Sequence, residues 1–141
     1  MGAISIDNIL VTSLKRIQVN GGDVLHAMND IQVSGFVLGE AYFSFVDPSF
    51  IKAWKRHREM TLNLVVPIGD VKFVFYDGNK FRSETIGGKN FARITVPPGI
   101  WFGFQGVHEN SSLLLNLADI PHDPLEVERR NINGIKYEWD L

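Results

Sequence analysis

The chain has 141 residues, a mass of 15.9 kDa and a formal charge of −2, with 45% hydrophobic and 21% charged residues. That length fits one domain, residues 1–141, burying about 68–70% of its unfolded surface. The slight acidic excess argues against a nucleic-acid binder that works by bulk positive charge. The absence of cysteine excludes thiol nucleophiles, disulfide scaffolds and Cys-based metal sites.

Residues 1–7 lack the basic stretch and apolar run of a signal peptide, and no segment reaches the roughly 18 apolar residues of a membrane span. The expectation is a cytoplasmic protein with no membrane partner. Short β-branched and aromatic runs then follow one another. Residues 10–19 end at Asn20-Gly21-Gly22. Residues 36–46 end at Asp47-Pro48, and residues 61–66 at Pro67-Ile68-Gly69. Residues 71–76 end at Asp77-Gly78-Asn79, residues 91–96 lead into Pro97-Pro98-Gly99, and residues 113–117 close the series. Such runs with regular turn punctuation read as an antiparallel sandwich or barrel.

The strongest hairpin signal spans residues 61–76. Leu62, Leu64 and Val66 share one face of its first strand, and Val71, Phe73 and Phe75 one face of its second. Across the pair, Asn63, Lys72 and Tyr76 have the parity to point together into a partly polar cavity. Helix signals are few. Asp123 as N-cap and Pro124 at the first position predict one or two turns over residues 125–130. Tyr137 and Trp139 in the tail, residues 132–141, predict that it docks on the body of the domain.

Three segments carry a resemblance. Trp54-Lys55-Arg56-His57-Arg58 precedes the hairpin and reads as a basic turn. Pro97-Pro98-Gly99-Ile100-Trp101-Phe102-Gly103-Phe104 follows it. Leu115-Asn116-Leu117-Ala118-Asp119 runs on to Asp123-Pro124-Leu125-Glu126. In this order they resemble the cupin-type epimerases of the dTDP-4-dehydrorhamnose 3,5-epimerase family, over residues 57–130. The ungapped spacing from His57 to Gly69 is also similar to that of the sugar 3,4-ketoisomerases. The resemblance implies an all-β cupin, or jelly-roll β-sandwich, with a short C-terminal helical segment, and a homodimer. It implies an epimerase acting at C3, C5 or both on a nucleotide-linked 4-keto-6-deoxy sugar in polysaccharide or deoxysugar biosynthesis. The alternatives are a 3,4-ketoisomerase, or a cupin that binds a sugar nucleotide without turnover.

The resemblance places the catalytic base at His57, whose ordinary pKa near 6.5 suits proton abstraction next to a ketone. Three family positions differ: Ile120 stands for the general-acid Tyr, Leu62 for a Lys and Phe102 for a His. Lys72 and Tyr76 are candidates to replace the missing Lys and Tyr, as enolate stabiliser and acid. Lys55, Arg56 and Arg58 are candidates to hold a pyrophosphate, Arg suiting bidentate contacts. Trp54, Trp101 and Asn63 complete the substrate-binding set. Each has an ordinary alternative: a solvated charged turn, core packing or an outer sheet face. No metal or other cofactor is expected, because Lys55 stands where metal-binding cupins begin a His-x-His pair.

Overall fold

Turn residues cut the chain into short strands, the central ones buried on both faces. The computed structural model describes residues 3–29 and 35–140. Its strands are β1 (Leu10–Ser13), β2 (Arg16–Ile17), β3 (Val24–Leu25), β4 (Glu40–Val46), β5 (Ile51–His57), β6 (Leu62–Ile68), β7 (Asp70–Tyr76), β8 (Phe81–Gly87), β9 (Ala92–Val96), β10 (Trp101–Gly106), β11 (Ser112–Ala118) and β12 (Val127–Arg129). Two five-stranded antiparallel sheets result. The first has the order β1-β9-β6-β11-β4 and the second β12-β5-β10-β7-β8, with β2 and β3 pairing apart. This is the all-β cupin sandwich that the sequence predicts.

The main core lies between the sheets. Leu62, Leu64 and Val66 of β6 face Val71, Phe73 and Phe75 of β7, joined by Ile94, Phe102 and Leu114. The period-2 reading of both strands is therefore right about which side chains are buried. It is wrong about the pairing. β6 hydrogen-bonds to β9 and β11, whereas β7 hydrogen-bonds to β10 and β8. Residues 61–76 form a corner from one sheet to the other, not a hairpin. Gly69 makes the corner with φ +88°, where a Cβ would also collide with Ser112. Ser112 Oγ accepts from the Asp70 amide at 3.1 Å and pins the crossing.

A second apolar cluster covers the outer face of the second sheet. Trp54, Val74, Trp101 and Ile135 form it, with Tyr76, Tyr137 and Trp139 packed around them. The tail docks as expected: Trp54 Nε1 donates to the Ile132 carbonyl at 3.0 Å. The predicted C-terminal helix is shorter than the sequence suggests. Asp123 caps a single 3-10 turn, Pro124–Glu126, and the chain then extends as β12 against β5.

Candidate functional site

The basic segment is a strand, not a turn, and its irregularity decides which side chains meet. β5 pairs with β10 as Phe102↔Lys55, Gly103↔Ala53 and Phe104↔Lys52, so Trp54 is the extra residue of a bulge. The bulge shifts the alternation. Lys52, Lys55 and His57 turn inward with Phe102 and Phe104, while Trp54 and Arg56 turn outward.

His57 lies at the inner end of β5 and is 5% exposed. Its ring stacks on Phe102 with centroids 6.0 Å apart. Its Nδ1 hydrogen-bonds to Glu126 Oε1, a carboxylate 69 residues away in sequence and itself 4% exposed. Glu126 is fixed in turn, because its Oε2 accepts from the amides of Glu59 and Met60, each at 3.2 Å. Burial pushes the Glu126 carboxyl up, but the bonds from His57 and the two amides outweigh it and hold the carboxyl below the usual range. Burial lowers His57 below its ordinary 6.5, partly offset by Glu126 and reinforced by Lys55 and Arg129. The imidazole is therefore neutral near pH 7. With Nδ1–H committed to Glu126, Nε2 carries the lone pair, and it is buried without a hydrogen-bond partner among the described residues.

Two adjoining cavities open between the sheets and share Tyr42 and Lys55. The smaller, about 290 Å³, is lined by Glu40, Tyr42, Lys55, His57, Met60 and His122. The larger, about 400 Å³, has an apolar floor of Leu62, Leu64, Phe102, Phe104 and Leu114, with Ser44 and Asn116 on one wall and Lys52 and Arg129 on the other. Burial, then the Arg129 cation, hold the Lys55 ammonium below the ordinary lysine range. Arg129 sits opposite Lys55 in the β12–β5 ladder. Together they give an apolar slot a cationic wall beside a neutral imidazole. Among the described residues, no group of three or more His, Asp or Glu side chains is placed to hold a metal ion.

Of the residues chosen from sequence, the structure brings together His57 and Lys55. The others lie elsewhere. Lys72 and Tyr76 are on the outer face of β7. Lys72 Nζ reaches Asp140 Oδ2 at 3.4 Å and lies 5.3 Å from the Tyr137 ring centroid, and Tyr76 stacks on Phe81 at 4.5 Å. Trp54 is buried under the tail. The guanidinium carbons of Arg56 and Arg130 each lie 4.6 Å from the Trp101 ring centroid, again on the outer face. Arg56 and Arg58 both pair with Glu128. Asn63 faces outward from the first sheet, accepting from Thr95 Oγ1 at 2.7 Å and donating to the Leu117 carbonyl. The sheet-crossing corner explains the error. It puts the outer faces of β6 and β7 on opposite sides of the sandwich, so Asn63 cannot meet Lys72 or Tyr76.

Glu126, Arg129, Tyr42 and Asn116 escape the sequence reading. Glu126 stands in the first turn after Asp123-Pro124, an acidic position visible in sequence. Nothing local connects it to His57. Tyr42 and Ser44 share parity along β4, which is a signal only once the inner face of that strand is known.

No protein-family model matches the chain. A dTDP sugar isomerase from Desulfovibrio desulfuricans superposes with a TM-score of 0.87 at 34% identity, over 94% of this chain and 91% of that one. The 3,5-epimerase RmlC of Legionella pneumophila, solved with dTDP-4-keto-L-rhamnose, gives 0.83 at 13% identity over 99% and 82%, a likeness of fold. The probable low-salt glycan biosynthesis epimerase Agl13 of Haloferax volcanii is 30% identical over 84 residues; the match spans about half of that protein's length, 54%. Taken with the placement of His57 inside the sandwich, the 34% identity over nearly the whole of both chains gives the family: the chain belongs to the dTDP-sugar isomerases, on the cupin sandwich they share with the 3,5-epimerases.

Proposed function

We propose that the protein is an epimerase of a nucleotide-linked 4-keto-6-deoxy sugar, acting at C3, C5 or both, with His57 as its general base. One observation carries this reading: a neutral, buried imidazole that lines a cavity between the sheets, with Nδ1 held by Glu126 and Nε2 unpartnered among the described residues. Nε2 takes the proton from the carbon beside the ketone, and Glu126 stabilises the imidazolium that forms. The electron pair moves onto the carbonyl oxygen as an enolate. Lys55 is the cation nearest His57 on the same face of β5 and meets that charge. Arg129 and Lys52 offer the diphosphate of the substrate its counter-charge, and the 6-methyl suits the apolar floor.

A 3,4-ketoisomerase begins with the same proton removal at C3 and differs in where the proton returns. The unbroken spacing from His57 to Gly69 favours that second reading. Incubation with dTDP-4-keto-6-deoxyglucose and NMR of the product separates the two. Inverted C3 or C5 with the ketone still at C4 supports the epimerase. A ketone at C3 supports the isomerase, and binding without turnover contradicts both.

The same proposal includes a homodimer in the cytoplasm. Phe43 and Phe45 on the edge strand β4, and Ile68 of β6, which lies across Leu113 from Phe45, are 64%, 70% and 60% exposed on the outer face of the first sheet. An apolar face of this kind on an open sheet edge suits a second copy.

A further inference from the structure

Lys55 has a use beyond its charge, because an uncharged amine attacks a ketone. We propose that Lys55 Nζ condenses with the C4 ketone to a protonated imine, and that His57 removes its proton from this adduct; the inference rests on the epimerase reading of the site.

The surroundings of Lys55 are those of a nucleophilic amine. It lines both cavities, so it borders the base on one side and the apolar slot on the other. Lys55 and His57 are successive inward residues of β5. In the two ladders that flank β5, Lys55 stands opposite the Phe102 ring and opposite Arg129. Its ammonium therefore has an apolar neighbour and a cationic one. It has no ion pair or hydrogen bond among the described residues. Glu126 is the carboxylate whose charge reaches it, and both Glu126 oxygens are committed, to His57 and to the Glu59 and Met60 amides. Burial and the Arg129 cation outweigh Glu126 and keep the ammonium below the ordinary lysine range, which enlarges its uncharged fraction. A lysine desolvated by apolar walls and set beside another cation is activated for Schiff-base chemistry. The second lysine of the larger cavity, Lys52, is exposed and donates to the Phe45 carbonyl at 3.0 Å.

The steps balance. The Nζ lone pair attacks C4. The carbonyl oxygen leaves as water, with one proton from the amine and one from solvent, and a protonated carbon–nitrogen double bond remains. His57 Nε2 takes the proton from the adjacent carbon, and the electron pair of that bond moves into a neutral enamine. The charge that a free ketone places on its oxygen is thus cancelled at the Lys55 nitrogen. The carbon regains a proton from solvent on its other face, His57 returns its own to solvent, and water hydrolyses the imine to the C4 ketone and the free amine.

Sodium cyanoborohydride reduces a protonated imine much faster than a ketone and tests the adduct directly. Wild-type protein is incubated with dTDP-4-keto-6-deoxyglucose and this reductant, and its peptides are mapped by mass. A sugar-nucleotide adduct on Lys55 and irreversible loss of activity are expected. Lys55→Arg keeps the cation and removes the nucleophile. It is expected to lose the adduct and to lower kcat by at least about tenfold, as Lys55→Met does, with dTDP affinity unchanged. Turnover by Lys55→Arg within about twofold of wild type shows that charge alone suffices and overturns the inference. So does the absence of an adduct on Lys55, or an adduct spread equally over Lys52 and Lys72. Inversion in a sample without adduct leaves the epimerase reading standing, whereas an adduct without inversion removes that reading and retains the imine.

Discussion

His57 and Glu126 are bound through Nδ1 and Oε1 inside the sandwich, although 69 residues separate them. The pairing sets the tautomer of the imidazole and leaves Nε2 as its basic nitrogen. β12 makes it possible, by running antiparallel to β5 with Val127 opposite His57, directly after the 3-10 turn that carries Glu126.

Glu126→Gln keeps the shape of the pair and removes its charge. The tautomer is then no longer fixed, because Gln can donate as well as accept. The account expects kcat to fall by about 10²–10⁴-fold. It also expects a shift in the pH profile. Glu126 raises the His57 pKa through both its bond and its charge, so in the variant the residual activity has its acid limb at lower pH. A pH–rate series on both proteins measures the two effects together.

Stability carries a related sign. The folded pKa of His57 lies below its ordinary 6.5, so the unfolded chain binds more protons as pH falls through that value. Glu126 is held below its ordinary 4.5, so it does the same at lower pH. Both contributions are present at pH 7 and are lost on acidification, His57 first. Urea midpoints recorded from pH 8 to pH 4 are expected to fall steadily. A midpoint that rises between pH 7 and pH 5 contradicts the assignment.

The two lysines separate inner face from outer. Lys55→Met removes the cation proposed to meet the enolate charge and is expected to lower kcat by at least about tenfold. Lys72→Ala and Tyr76→Phe alter only the outer face of β7, and activity within about twofold of wild type is expected for each. Steady-state kinetics on the three variants checks this.

Trp54→Ala tests the second core. The indole is 2% exposed and bonded to the Ile132 carbonyl, so its loss empties the space between β5 and the tail. A destabilisation of about 3–5 kcal/mol is expected, measured by urea unfolding.

Phe45→Lys places a charge at the centre of the exposed apolar face of the first sheet. Light scattering is expected to give a dimer for the wild-type chain and a monomer for the variant.

The sequence makes the buried faces of β6 and β7 legible because period-2 alternation needs no knowledge of pairing. The sheet-crossing corner at Gly69 is not legible, because a Pro-Ile-Gly turn suits a hairpin equally well. That single ambiguity displaces Asn63, Lys72 and Tyr76 from the site. The bulge at Trp54 has a similar effect in β5. Without it, simple alternation puts Lys52 and Lys55 on opposite faces, and the segment's charge suggests a solvated turn. His57 is recognisable through its resemblance to known epimerases. Glu126, Tyr42 and Asn116 become visible only through long-range contacts, which local pattern does not encode.

The central claim is that His57 Nε2 removes a carbon-bound proton. Its most direct test is solvent deuterium incorporation into dTDP-4-keto-6-deoxyglucose, by wild-type protein and by His57→Asn, followed by NMR at C3 and C5. The account predicts incorporation by the wild type and a loss of about 10²–10⁴-fold in the variant, with dTDP affinity unchanged. Incorporation by His57→Asn at the wild-type rate would contradict it.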